Sequence, residues 1–159
     1  MIETLLVHAT AIAIGGGAIL LRGPPGAGKS DLALRLIEGG ARLLADDQTL
    51  LRRADDHVLV RAPAAIAGLI EVRGVGIVRV DSLDEAPLAL VVDLVPSAQV
   101  ERIPDNRFEV VLGLTIPLMA LAPFEVSAAA KLRLAWRAFV VAPPPTTRRD
   151  DGRRCSRHC

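Results

Sequence analysis

Apolar side chains take every second place from Leu5 through Val7, Ala9, Ala11 and Ala13, a period of two that predicts one or two strands over residues 4–14. Gly15-Gly16-Gly17 then predicts a tight turn, and the continuous run Ala18-Ile19-Leu20-Leu21 a buried strand, so the chain opens as a hairpin. Leu32, Leu34, Leu36 and Ile37 return at helical spacing and stop at Gly39-Gly40, which predicts a helix. Arg42 to Ala45 predicts a short strand that delivers Asp46-Asp47 at its end. Leu50-Leu51 and Val58 to Val60 predict two more strands joined by the polar turn Arg53 to His57, with Ala62-Pro63 closing the run. Residues 64–70 fit no single period. Glu71 to Val78 places two glycines and two opposite charges in a loop followed by a strand. Leu88 to Val92 predicts a buried strand ending in Asp93, and Phe108 to Leu112 with Thr115 to Leu121 a strand pair around Gly113. Glu125 to Val141 predicts a final helix with Val126, Leu132, Leu134, Trp136 and Phe139 on a broad apolar face. Pro143-Pro144-Pro145 ends that element. No internal repeat is visible. The pattern describes one domain over residues 1–141, followed by a Pro/Arg-rich tail, 142–159, whose near absence of apolar side chains predicts disorder.

Between the buried strand Ala18 to Leu21 and the first predicted helix lies Gly23-Pro24-Pro25-Gly26-Ala27-Gly28-Lys29-Ser30, a complete P-loop pattern in the strand, loop, helix context that gives it meaning. Glycines let backbone N–H groups turn onto phosphate oxygens, and the helix N-terminus adds the positive end of its dipole. Lys29 is placed to reach the outer phosphates, and the Ser30 hydroxyl to ligate Mg²⁺. The chain has only two lysines, Lys29 and Lys131, so a lysine at this position does not follow from lysine abundance. The fold class is therefore α/β, a mixed sheet carrying a P-loop.

Composition narrows the classes of function. With 159 residues, 51% of them hydrophobic, the chain can bury a core, and with no Tyr, one Trp and three Phe that core must be aliphatic. The tail holds five Arg and two Asp, so the net charge of +1 hides a mildly acidic domain of 14 basic and 16 acidic side chains. Such a balance offers no footprint for nucleic acid. Both cysteines, Cys155 and Cys159, lie in the tail, so no disulfide framework supports the core; this fits a reducing cytoplasm. The apolar stretch from Ala9 to Leu21 is broken by three glycines and follows Glu3 rather than a basic segment. It reads as neither a signal peptide nor a membrane anchor.

A P-loop specifies nucleotide binding and leaves the reaction open. Asp46-Asp47 is the leading second constellation: a carboxylate at a strand end beside bound phosphates can hold Mg²⁺ or take a proton from an attacking hydroxyl. Taken alone, such a pair is more often a turn or cap. Asp93 at the end of an apolar strand has the ordinary place of a Walker-B metal ligand. His8, His57 and Arg102, by spacing alone, read as structural or solvated side chains.

Taken together, His8, the P-loop, Ala45-Asp46-Asp47, the stretch Glu71-Val72-Arg73-Gly74-Val75-Gly76-Ile77 and Glu101-Arg102 resemble, in that order, the catalytic domain of the HPr kinase/phosphorylase family, over roughly residues 4–140. The chain looks like the short form found in alphaproteobacteria. The resemblance implies a fold similar to the phosphoenolpyruvate carboxykinase nucleotide domain. It also implies an ATP- and Mg²⁺-dependent protein kinase acting on a serine of the phosphocarrier HPr, as a homo-oligomer (a hexamer in the family); composition adds the expectation of a cytoplasmic protein with neither nucleic acid nor membrane as partner. Residue by residue, it makes Lys29 the phosphate lysine, Ser30 and Glu71 the Mg²⁺ ligands and Asp47 the base, with His8 and Arg102 at further active-site positions. The metal thus goes to Glu71 rather than Asp93. Bifunctional members carry a basic segment after the late strand; here the stretch is Ile116-Pro117-Leu118-Met119-Ala120-Leu121-Ala122-Pro123, which predicts weak phosphorolytic activity. The alternatives are a nucleotide-binding regulatory module, which would not need a base, and a small-molecule P-loop kinase, for which an arginine-rich lid is missing from mid-chain.

Overall fold

The computed structural model describes residues 4–141. The predicted tail and its two cysteines lie outside the described residues. Among the described residues there are eleven strands and two α-helices, which except around β7 follow the order expected from the hydrophobic pattern. Strands β1 (Thr4–Val7), β2 (Ala9–Ile14) and β3 (Gly17–Arg22) lead through the P-loop into α1 (Lys29–Glu38). Then come β4 (Arg42–Ala45), β5 (Thr49–Ala54), β6 (His57–Arg61), β7 (Leu69–Val72), β8 (Gly76–Arg79), β9 (Ala86–Leu94), β10 (Arg107–Val111) and β11 (Leu114–Leu121). Helix α2 (Ala128–Ala135) closes the domain and runs into a π-helical segment, Trp136–Val141.

Nine strands form one mixed sheet in the order β1-β5-β6-β9-β3-β2-β4, with β11 beside β9 and β10 beyond β11; β7 and β8 form a separate hairpin. The long β9 makes the junction. It runs parallel to β3 on one side, while on the other it pairs at Ala86 and Pro87 with β6 and at Val91 to Leu94 with β11. Strands β3, β9 and β11 are parallel, and β4 joins them in direction because it is antiparallel to β2, which is antiparallel to β3. Four strands therefore end at the same edge, the edge where ligands bind in open α/β sheets.

Period-two alternation splits the core into two layers. Ile12, Ile19, Leu21, Leu43, Leu90 and Val92 face the helices and meet Leu32, Leu36, Leu132 and Trp136. Their neighbours Ala11, Ala13, Ala18, Leu20 and Val91 face the other way, where Leu51, Val58, Val60 and Ile116 close over them. Small alanines on that second face let the β5–β6 arm approach. Close approach also explains Gly17: a β-carbon there would lie 2.4 Å from a ring carbon of Trp136, so any larger residue would displace the indole.

Three sequence expectations change. The final helix begins at Ala128, not Glu125, and its apolar face is narrow: Leu132 and Trp136 are buried, whereas Val126, Leu134 and Phe139 are exposed. Helix α2 packs on α1 and sends Ala128 and Leu132 into the core, so one stripe is covered. The stretch at 71–78 is a hairpin in which Glu71 is already a strand residue opposite Ile77, the turn closing through Val75 N–H to the Val72 carbonyl at 3.0 Å. The ambiguous 64–70 stretch is a 3₁₀ turn, Ala64–Ile66, followed by the start of β7.

Candidate functional site

Gly26 and Gly28 carry the P-loop around its bend with φ of 80° and 94°, in the left-handed region open to glycine at little cost. Gly28 is also the N-cap residue of α1, so the helix begins at Lys29 with its first N–H groups facing the loop. Lys29 is buried, at 8% exposure, and its Nζ donates to the carbonyls of Gly23 at 2.7 Å and Pro24 at 3.1 Å. An ammonium has three donors, so these bonds hold it inside the arch with one donor to spare.

Below the loop, Asp46 joins four elements. Its Oδ1 accepts from the Ser30 hydroxyl at 2.6 Å and from the Thr10 hydroxyl at 3.3 Å, and its Oδ2 accepts from the Glu71 backbone N–H at 3.0 Å. Asp46 is 8% exposed and Thr10 is fully buried. Thr10 Oγ1 in turn accepts from the Asp47 N–H at 3.1 Å. Charge-assisted bonds of this kind offset the desolvation of a buried carboxylate and fix its orientation. Asp46 thus stands against the P-loop serine, the relation a Walker-B aspartate has to its metal-binding hydroxyl.

Asp47 is the exposed member of the pair and takes φ of 66°, a conformation that Asp and Asn tolerate better than other side chains. Glu71 has its backbone on Asp46 and its side chain exposed. His8 is exposed two residues before Thr10, on the end of β2 that faces the P-loop end of β3. Arg102 lies exposed in the irregular stretch after β9. The structure therefore brings Ser30, Asp46 and the Glu71 backbone into direct contact, with Asp47 anchored beside them through Thr10. It ties neither His8 nor Arg102 into that cluster.

Asp93 belongs elsewhere. Arg22, its register partner across β3 and β9, donates Nε to Oδ1 at 2.8 Å and Nη2 to Oδ2 at 3.1 Å, and pairs with Glu109 at 2.5 Å. Burial alone would lower the Arg22 pKa, but the bonds and charges of Asp93 and Glu109 outweigh it and hold the guanidinium above its ordinary value. The Asp93 carboxylate is thereby engaged on both oxygens. Thr10 is the site residue that sequence reasoning missed; its one signal is a lone hydroxyl between alanines in an otherwise apolar strand.

A strand–glycine loop–helix at the carboxyl edge of a mixed sheet, with a buried carboxylate bonded to the helix's second residue, is an α/β arrangement whose loop N–H groups can accept an anionic phosphate chain. The family model described as "HPr Serine kinase C-terminal domain" matches residues 1–125, and the chain belongs to that family. Among curated relatives, the HPr kinase/phosphorylase of Geobacillus sp. (strain WCH70) is 38% identical over 111 residues, covering 63% of this chain and 36% of that protein. The HPr kinase/phosphorylase of Peptoclostridium acidaminophilum is 45% identical over 78 residues, 48% of this chain and 25% of that protein. The chain thus spans about a quarter to a third of the length of these relatives. The solved structure of the HPr(Ser) kinase/phosphatase from Coxiella burnetii superposes with a TM-score of 0.71 at 25% identity, covering 82% of this chain and 86% of that one.

Proposed function

We propose that this chain is an ATP-dependent protein kinase that phosphorylates a serine of an HPr-type phosphocarrier. The observation that carries the reading is the Ser30–Asp46–Thr10 cluster under a complete P-loop, in a member of the HPr serine kinase family. Lys29 and the N–H groups at the start of α1 hold the outer phosphates. Ser30 and the Glu71 side chain hold Mg²⁺, with Asp46 orienting the Ser30 hydroxyl, a donor set of hard oxygens suited to that ion. When bound, Mg²⁺ offsets the negative charge spread over the transferring phosphoryl group.

Asp47 accepts the proton that the substrate serine loses as its oxygen bonds to the γ-phosphorus and the bond to the β,γ-bridging oxygen breaks, releasing ADP. Its exposure leaves it open to an incoming protein hydroxyl. Arg102 and His8, both exposed, would add positive charge and a proton-carrying group for the entering substrate. We further propose that phosphorolysis is slow. Leu118 to Leu121 lie on β11 paired with Val91 to Leu94, and Met119 packs on the core, so that stretch offers no cation to a second anion.

Self-association in the cytoplasm completes the reading. Leu5 and Leu6 on edge strand β1 and Phe108 and Val110 on edge strand β10 are exposed, apolar surface of the kind that subunit contacts cover. Among the described residues no helix is long and apolar enough to cross a membrane. Incubation with γ-labelled ATP, Mg²⁺ and an HPr-type protein tests the activity: label on a serine of the phosphocarrier is expected, and label on a histidine, on a small molecule or nowhere would overturn it.

A further inference from the structure

The turn after β11 holds an aromatic ring against the P-loop with most of its surface in water. Phe124 is 71% exposed, yet a β-carbon at Gly28 would lie 3.0 Å from two of its ring carbons and 3.3 Å from Pro123 Cβ, so ring and loop are in contact. The turn is firmly held. Ala122 and Pro123 are buried, and Arg35 of α1 donates to the Pro123 carbonyl and, at 3.3 Å, to the Glu125 carbonyl. Arg35 is itself braced by Asp31 at 3.0 Å. A phenylalanine kept in solvent at a braced position has no packing reason to be there.

Its place in the fold supplies one. Strand β11 runs parallel to β9 and β9 to β3, so the 122–127 turn leaves the same sheet edge as the P-loop, two strands away. A phosphate chain seated on the N–H groups of Gly28 to Ser30 leaves its nucleoside outside the loop. Every base has a π-face that stacks on an aromatic ring irrespective of its hydrogen-bonding edge. Of the other aromatic residues, Trp136 is buried in the core, Phe108 sits on edge strand β10 and Phe139 on the closing π-helical segment.

We propose that Phe124 is the stacking platform for the nucleoside base, the residue by which this site distinguishes a nucleoside triphosphate from a bare polyphosphate chain. The proposal rests on the nucleotide reading of the P-loop and does not depend on the identity of the protein substrate. Calorimetric binding of ATP and of inorganic tripolyphosphate, each with Mg²⁺, to the wild-type chain, F124A and F124W separates the two. The expected result is about a tenfold or greater weakening of ATP binding in F124A, with tripolyphosphate binding unchanged. F124W should restore ATP affinity, and its added tryptophan emission should be quenched by ATP and not by tripolyphosphate. Equal losses for both ligands would make Phe124 a mere support of the loop and overturn the proposal. So would an F124A variant that binds ATP like wild type, or a wild-type chain that binds tripolyphosphate as tightly as ATP. A wild-type chain that binds neither would overturn the nucleotide reading along with it, whereas a failure to phosphorylate HPr leaves these measurements intact.

Discussion

Asp46, by its place after β4, and Arg102, through the family resemblance alone, are both expected at the active site, yet the molecule holds them in opposite ways. Asp46 is buried and takes three hydrogen bonds from residues 16, 36 and 25 positions away. Arg102 stands exposed in a stretch without regular structure. The difference separates a floor, the buried, hydrogen-bonded cluster beneath the P-loop assembled by the fold itself, from an exposed stretch that, on the proposed reading, is the rim that meets the phosphocarrier. A preorganised floor suits groups that must face a developing charge without rearranging. An open rim suits a partner that brings its own surface.

Breaking the floor should have the largest consequence. Lys29→Ala removes the cation from the phosphate arch, and transfer should fall by about 10²–10³-fold or more while the far-ultraviolet dichroism stays native. Transfer at the normal rate in a folded variant would remove the P-loop from the mechanism. Asp46→Asn should come next and should act on stability as well as rate. An amide offers one acceptor oxygen where the carboxylate offers two, so the Glu71 N–H or one hydroxyl loses its partner, at about 1–3 kcal/mol. Chemical denaturation should show that loss, and transfer assays a raised Mg²⁺ requirement; an unchanged Mg²⁺ titration would mean that Asp46 does not act on the metal through the Ser30 hydroxyl.

A smaller effect sharpens the contrast with Asp93. Arg22→Ala leaves Asp93 and Glu109 facing each other at a partly exposed position, so destabilisation of about 1–2 kcal/mol is expected, below the full cost of a buried orphan charge. If Asp93 is only Arg22's partner, the double variant Arg22→Ala, Asp93→Ala should recover part of that stability and keep its Mg²⁺ requirement. The smallest effect falls on an exposed ion pair at the surface. Lys131, 2.6 Å from Glu125, holds that carboxyl below its ordinary value through its hydrogen bond and charge. A depressed carboxylate contributes stability above its unfolded pKa and loses it as pH falls through the folded one. In Lys131→Met the Glu125 titration followed by NMR should move up toward the ordinary carboxylate range, with transfer unaffected.

What the residue pattern revealed depended on how far apart the determining partners are. The strand, P-loop and helix are local, as is the delivery of Asp46-Asp47 by Arg42 to Ala45, and all are read from spacing within about thirty residues. The division of labour between the two aspartates is not local: it follows from Thr10, brought alongside because β2 pairs with β4 at Ala11 and Ala45. Likewise, the ordinary Walker-B place of Asp93 could not reveal that register sets Arg22 opposite it, 71 residues away. In the closing helix, periodicity showed which residues are apolar but not how narrow a stripe the sheet would cover.

On the proposed mechanism, Asp46 builds the floor while its exposed neighbour Asp47 receives the serine proton. Asn tolerates the left-handed backbone at position 47, so Asp47→Asn changes the acceptor and little else. Single-turnover formation of phosphoserine on HPr, measured beside ATP affinity, tests the claim most directly. In Asp47→Asn the rate should fall by roughly two to four orders of magnitude with ATP binding intact; transfer at the wild-type rate, or loss of ATP binding instead, would contradict it.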